Sequence, residues 1–128
     1  MCHSQGIGFL AYSPLAAGLL SGRNNAQSSP TARSYVEDVL ASTAAEYGVT
    51  PAVMALAWVI APPGVSAGLV GMSLLGQVPA CAEAAELDLP PAHLGRLADA
   101  FAGAQIVHAW EQNPLRRRIG RLLGALRR

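Results

Sequence analysis

Residues 6–22 read GIGFLAYSPLAAGLLSG, and this stretch decides which fold the sequence predicts. Residues 8–12 (GFLAY) form a short, continuous apolar run, which is typical of a strand covered on both faces in a parallel sheet. Pro14 cannot donate a hydrogen bond to a neighbouring strand and is therefore predicted to end it. Residues 16–22 are mostly small and are predicted to form a loop.

Two helices are predicted to follow this strand. Residues 23–33 are polar and are expected to be a mobile connection. Residues 35–47 carry apolar side chains at helical spacing, and Gly48 supplies the stop. Thr50 is predicted to cap a second helix that begins at Pro51 and runs through Ile60.

The remaining elements complete an alternating pattern. A second strand is predicted at residues 66–70 (SAGLV), followed by helices over residues 75–86 and from Pro91 to about Phe101. Strands that alternate with helices indicate βα units and a parallel sheet. Two strands do not complete such a sheet, because it needs neighbours on both edges and cover on both faces. The pattern therefore predicts a fragment of a larger fold, or a fold completed by a partner.

Composition divides the chain into a body and a tail. Hydrophobic residues make up 52% of the sequence and charged residues 13%, about half the usual share of charge. Three arginines and eight carboxylates precede Arg116, a net charge of −5, whereas the last 13 positions hold six arginines, a net charge of +6. Residues 103–128 are predicted to be a basic tail, amphipathic over residues 115–128, and a solvated extension is the favoured interpretation. The alternative is a segment that docks to an anionic membrane or an acidic partner; a nucleic-acid partner is not expected.

Several classes of function are disfavoured. Cys2 and Cys81 stand alone and the three histidines are scattered, so neither a metal site nor a disulfide framework is predicted. The first residues lack the positive start of a secretory signal, so a cytoplasmic location is expected. Residues 52–71 are apolar over about the length of a membrane span, but consecutive prolines interrupt them at Pro62 and Pro63. A helix, a turn and a buried strand are the better prediction, and a membrane span is not expected.

The same segments resemble a known family in order. Residues 6–22 are similar to the seventh strand and following loop of the aldo-keto reductases, whose pattern is approximately GIG-x-x-AYSPL-x-x-GLL-[ST]-G. Residues 44–59 resemble the family's seventh helical unit, and residues 64–78 resemble its eighth strand and cofactor loop. The resemblance covers residues 1–102 and implies an α/β fold: a partial TIM (β/α)8 barrel consisting of the last two βα units and C-terminal helices.

The resemblance also implies a cofactor, NADP(H), and the residues that would hold it. In a (β/α)8 barrel, ligands bind where loops follow the C-terminal ends of the strands. One group would line the pyrophosphate and nicotinamide ribose, and another would face the adenosine phosphate and adenine. The first group is Ser13, Leu15, Gly18 and Leu20; the second is Gly71, Ser73 and Gln77.

The second loop departs from the family pattern. Leu74, Leu75 and Gly76 stand where the family usually offers a basic residue or a polar cluster to the extra phosphate of NADP. Cys81 stands where the family usually has an asparagine, and Val70 where a proline commonly precedes the loop glycine. Charge-assisted hydrogen bonds would be lost, so weak cofactor binding is expected from this chain alone.

The resemblance implies an oxidoreductase fragment without its catalytic residues. The family's catalytic Asp, Tyr, Lys and His lie in earlier strands, and this sequence contains no lysine. We therefore expect a carbonyl oxidoreductase fragment that is inactive and poorly soluble alone. Its expected origin is a truncated gene, a misplaced start or a remnant. The fold would be completed only if another chain supplied the missing strands. The alternative is a non-catalytic interaction module whose basic tail binds a partner or a membrane surface.

Overall fold

The computed structural model of the protein describes residues 2–21 and 30–103. The strands and helices alternate in the predicted order, which confirms the predicted sequence of elements. The elements are β1 (Phe9–Tyr12), α1 (Pro30–Glu46), α2 (Pro51–Ile60), β2 (Val65–Leu69), α3 (Gln77–Glu86) and α4 (Pro91–Gly103), with short 3-10 helices at His3–Gln5 and Ala16–Ser21. The amphipathic segment predicted at residues 115–128 lies outside the described residues.

The two strands pair in parallel, as predicted. One face of this sheet lies against α2. Ala11 of β1 is buried and is in register with Gly68 of β2. A Cβ atom added to Gly68 would lie 3.3 Å from Cγ2 of Ile60, so the sheet and the helix are in close contact at this point. The absence of a side chain at Gly68 is what allows this approach.

The opposite face of the sheet is open. Leu10 is in register with Ala67, and Tyr12 with Leu69. These four residues share a face because side chains alternate along a strand. Leu10 is 56% exposed and Tyr12 is 75% exposed. The open face is consistent with the predicted fragment, because α2 packs on the described sheet from one side and nothing in the described residues covers the other.

Helix α2 forms the centre of the core. Thr50 caps it as predicted, since its hydroxyl oxygen accepts a hydrogen bond from the amide of Val53, and Pro51 occupies the first turn. Gly48 ends the preceding helical segment with a φ of 67°, a value that favours glycine. The buried core contains residues from α1, α2, α3 and α4, together with Leu89 from the connection between α3 and α4 and Leu20 from the first loop. The helical members are Val36, Leu40, Ala44, Val53, Met54, Ala55, Leu56, Ala57, Ala84 and Leu97.

Helix α4 packs across α1 and is fixed to α2 by aromatic contacts. The rings of Trp58 and Phe101 are stacked, with centroids 4.5 Å apart. The indole nitrogen of Trp58 also donates a hydrogen bond to the carbonyl of Leu94 at 3.2 Å. The polar end of the indole is thus satisfied while its ring packs against the apolar side of α4.

Three predicted boundaries need correction. Helix α1 begins at Pro30 rather than at residue 35, because proline is tolerated in a first turn that needs no amide donor; the expected mobile segment therefore does not extend to residues 30–33. The predicted loop at residues 16–22 contains a 3-10 helix, which forms through tight turns such as that from the amide of Gly18 to the carbonyl of Leu15. Helix α3 begins at Gln77 rather than at residue 75, because residues 73–76 form turns.

Among the described helices, none is by itself long and apolar enough to cross a membrane. Two consecutive segments, Tyr35–Glu46 and Pro51–Ile60, satisfy the length and composition test together, but they are bent by 93° at the break between them.

Candidate functional site

A cleft of about 570 Å³ opens where the two parallel strands end. This is within the range of volumes that small-molecule sites occupy. The C-terminal ends of parallel strands lie at the same edge of a sheet, so the loops that follow β1 and β2 meet there. The lining is Tyr12, Ser13, Pro14, Leu15, Gly18 and Ser21 from the first loop, and Leu69, Val70, Gly71, Ser73 and Gln77 from the second.

Six of the seven predicted site residues line this cleft together. They come from two segments that are more than 50 positions apart in the sequence. The exception is Leu20, which is only 5% exposed and packs in the hydrophobic core. Leu20 therefore anchors the first loop to α2 and presents almost no surface to a ligand.

The first loop has a strained backbone. Ser13 and Ala16 have positive φ values of 54° and 48°, which non-glycine residues rarely adopt. Gly18 also has a positive φ, of 94°. At Ser13 and Ala16 such conformations cost about 1–3 kcal/mol each and persist where the surrounding structure enforces them, often at binding sites, whereas Gly18 adopts its φ without this cost. The loop is held by its own hydrogen bonds, including one from the hydroxyl of Ser21 to the carbonyl of Gly18 at 2.6 Å.

The second loop is held by the side chain of Gln77. Its Oε1 atom accepts hydrogen bonds from the amides of Ser73 and Leu74, at 2.9 and 3.0 Å. Two of the amide donors that a phosphate group could use at this helix N-terminus are therefore already engaged. In the first loop, the amides of Ala16 and Gly18 likewise donate to carbonyls of the loop itself.

The cleft is electrically neutral along the part of its lining that the structure describes. None of its lining residues carries a charge near neutral pH. Small residues and hydroxyl groups leave room in the cleft for a polar ligand. The described lining contains no cationic side chain that could act as a counter-ion for a phosphate group.

Five lining residues were not predicted from the sequence: Tyr12, Pro14, Ser21, Leu69 and Val70. Most of them are direct neighbours in sequence of predicted residues. For all of them except Ser21, the available signal was the position at or just beyond the end of a strand, where side chains reach the same edge of the sheet.

A polar network joins α1 to α4 outside the cleft. The hydroxyl group of Tyr47 is hydrogen-bonded to Nδ1 of His93 at 2.6 Å, and Nε2 of His93 lies 3.2 Å from a carboxylate oxygen of Glu46. Arg96 donates to the other carboxylate oxygen of Glu46 at 2.7 Å and to the hydroxyl of Thr43 at 2.5 Å. No local pattern in the sequence predicts this network, because its α1 and α4 members are about 50 positions apart. His93 is a satisfied structural residue, and among the described residues no three potential ligands are grouped for a metal ion.

The hydrogen bond from Arg96 lowers the pKa of Glu46, and the charges of Arg96 and His93 lower it further. Desolvation acts in the opposite direction but does not outweigh these effects.

Comparison with known proteins shows which family the segments that form the cleft resemble. The model of the aldo/keto reductase family matches residues 1–101. An uncharacterized oxidoreductase of Bacillus subtilis (strain 168), YrpG, is 32% identical over 108 residues, an alignment that covers 77% of this chain and 33% of the relative. A probable voltage-gated potassium channel subunit beta of Arabidopsis thaliana is 34% identical over 94 residues, which cover 59% of this chain and 29% of the relative. The chain thus spans about a third of the length of the curated relatives that it matches.

Proposed function

The chain belongs to the aldo/keto reductase family, and we propose that it forms the nicotinamide-dinucleotide-binding end of a (β/α)8 barrel, with no carbonyl reductase activity of its own. The observation that carries the proposal is the convergence of Ser13, Leu15, Gly18, Gly71, Ser73 and Gln77 on one cleft at the ends of two parallel strands. The family generally uses NADP(H), which supplies the hydride when bound. The residues of this chain would hold and orient that cofactor.

In the proposed site, the two loops have different tasks. The rigid first loop, with Ser13 and Gly18, would approach the pyrophosphate and the nicotinamide ribose. The second loop, with Gly71, Ser73 and Gln77, would approach the adenosine. The open sheet face beside the cleft, which carries Leu10 and Tyr12, would pack against further strands of the barrel, supplied by another polypeptide segment.

The proposal predicts nucleotide binding that is sensitive to bulk in the cleft. Gly71 has open space where a Cβ atom would lie, so Gly71→Leu would fill the cleft without a backbone clash. Gly95 also has open space but lies in α4, away from the cleft, so Gly95→Leu is a matched control. We expect the unmodified chain to bind NADH weakly, in roughly the millimolar range, and Gly71→Leu to weaken binding about tenfold or more.

Equilibrium titration followed by the fluorescence of the nucleotide measures this binding. Gly95→Leu should retain the affinity of the unmodified chain. Equal affinities for the Gly71→Leu and Gly95→Leu variants, or no binding to the unmodified chain at several times the expected dissociation constant, would reject the proposed site.

A second assay tests the absence of activity. The sequence contains no lysine, and no acidic or basic side chain lines the described part of the cleft. A lysine or carboxyl group beside Tyr12, of the kind that assists general acid catalysis, is therefore absent from the described part of the cleft. We expect no oxidation of NADH or NADPH above the uncatalysed rate when aldehydes are added. Turnover that disappears on Tyr12→Phe would contradict this expectation.

An interaction module remains the second candidate. The apolar open face of the sheet supports it, as does the similarity to a protein named as a channel beta subunit. In this case the sheet would serve to bind a partner rather than a nucleotide. Loss of partner binding on Leu10→Ser, together with no NADH binding, would favour this candidate over the first.

A further inference from the structure

We infer that the cleft discriminates against the phosphorylated cofactor and takes a dinucleotide whose adenosine ribose has a free 2′-hydroxyl, NAD(H) rather than NADP(H). This inference rests on the proposed function, since it concerns the ligand of the same cleft. It departs from the cofactor that the family generally uses, and it is carried by the charge and the hydrogen bonds of the lining.

The first step is the absence of a counter-ion. NADPH differs from NADH by one phosphate group on the adenosine ribose, which carries about two negative charges near pH 7. None of the eleven described lining residues is cationic. Arg96, which lies in α4, is engaged with Glu46 and Thr43 of α1, and it is not part of the lining. Where the additional phosphate lies against these described residues, it exchanges water for neutral groups only, which is unfavourable for a dianion.

The second step is the state of the amide donors. Neutral amides can hold a phosphate when they are free to point at it. Here the amides of Ser73 and Leu74 already donate to Oε1 of Gln77, at 2.9 and 3.0 Å. A phosphate would have to displace the oxygen of Gln77, and until it did so it would face another acceptor. Charge-assisted hydrogen bonds are therefore not available to it at this loop without a rearrangement.

The third step is that a hydroxyl group fits where a phosphate does not. A ribose 2′-hydroxyl is neutral, and it can both donate a hydrogen bond to the side-chain oxygen of Ser73 and accept one from the hydroxyl of Ser73. A phosphate dianion has no proton to donate. A site built from neutral acceptors therefore rejects the phosphorylated ligand more strongly than its hydroxyl analogue, because the rejected ligand leaves polar groups unpaired.

The surface of the second loop offers a clean test. Leu74 is 58% exposed and Leu75 is 91% exposed, so a cation introduced at either position keeps the core intact. Leu74→Arg places a guanidinium beside the amides that Gln77 now occupies. Leu74→Gln is the matched control, because it adds a polar side chain without a charge.

The experiment compares NADH and NADPH in parallel titrations of the complete 128-residue chain, followed by nucleotide fluorescence and by the shift of Tm. We expect NADH to bind the unmodified chain roughly tenfold more tightly than NADPH. Leu74→Arg should improve NADPH binding by roughly tenfold and change NADH binding by less than about threefold, an effect that salt reduces. Leu74→Gln should leave the ratio of the two affinities as it is.

The possible failures are distinguishable. NADPH binding as tight as NADH binding would overturn the inference and leave the proposed function standing. The same conclusion would hold if Arg23, which lies outside the described residues, supplied the cation, so that Arg23→Ala abolished the NADPH affinity. A folded Leu74→Arg variant with an unchanged ratio would also overturn it, and Leu75→Arg serves as a second cationic variant should the first not fold. Binding of neither nucleotide would reject the proposed function itself.

Discussion

Glu46 receives hydrogen bonds from two side chains of α4 at once, Arg96 at one carboxylate oxygen and His93 at the other. Thr43, which is fully buried, accepts from Arg96 and donates to the carbonyl of Val39 at 2.7 Å. A buried hydroxyl needs such partners, since leaving it unsatisfied is unfavourable. At the scale of single residues, this network sets how α4 is oriented on α1.

The network predicts a dependence of stability on pH. The pKa of Glu46 is lowered, chiefly by the hydrogen bond from Arg96, so the folded state binds this proton less readily than the unfolded state. Its stabilising contribution is therefore fully present above about pH 4.5, the ordinary value for a glutamate, and is lost as the pH falls through the lower folded pKa. Glu46→Gln should lower the urea midpoint of unfolding at neutral pH, and the difference from the unmodified chain should shrink towards about pH 3.

The control for this measurement is Glu83→Gln, on the exposed side of α3. It should leave the urea midpoint nearly unchanged at both ends of the pH range. A Glu46→Gln variant whose deficit persists undiminished in acid would show that the carboxylate charge is not what matters.

At the scale of elements, the sequence predicted those helix starts and ends that depend on neighbouring residues. The cap at Thr50, the proline at position 51 and the glycine stop at position 48 were all readable because each acts through neighbouring backbone groups. The start of α1 was not, since residues 30–34 lack a helical apolar stripe. The sequence could predict that the loop residues of the site meet, because parallel strands end at one edge of the sheet. It could not predict the hydrogen bonds of Gln77 or the contacts of His93, because these depend on side-chain geometry that the spacing of residues in the sequence does not encode.

The packing of α4 predicts a sharp contrast between two leucines. Leu97 is fully buried between α4 and the rest of the core, whereas Leu75 is almost fully exposed. Leu97→Ala should lower the free energy of unfolding by about 2–5 kcal/mol, because it removes buried methyl groups and leaves a cavity. Leu75→Ala should change it by less than about 0.5 kcal/mol.

Urea unfolding followed by far-ultraviolet circular dichroism measures both variants, with the helical signal as the readout. The two leucine variants remove the same atoms and so differ only in their surroundings. Similar losses of stability in the two would mean that α4 does not pack as described.

At the scale of the whole molecule, the chain has one well-packed layer and one open surface. The helices bury a continuous core around α2, while the sheet has two strands among the described residues and exposes Leu10, Tyr12 and Leu69 on one face. An isolated sheet of this size is marginally stable in water. Family membership implies a barrel, in which further strands would cover this face. In the proposed role, the stable helical layer of the chain supports a sheet that needs further strands.

Hydrogen exchange of the backbone amides, resolved by residue, tests this claim most directly. We expect the amides of β1 and β2 in the 128-residue chain to exchange at least roughly a hundredfold faster than those in the middle of α2, because the open sheet frays while the helical core stays closed. Sheet amides that exchange as slowly as those of α2 would show a self-sufficient fold and would contradict it.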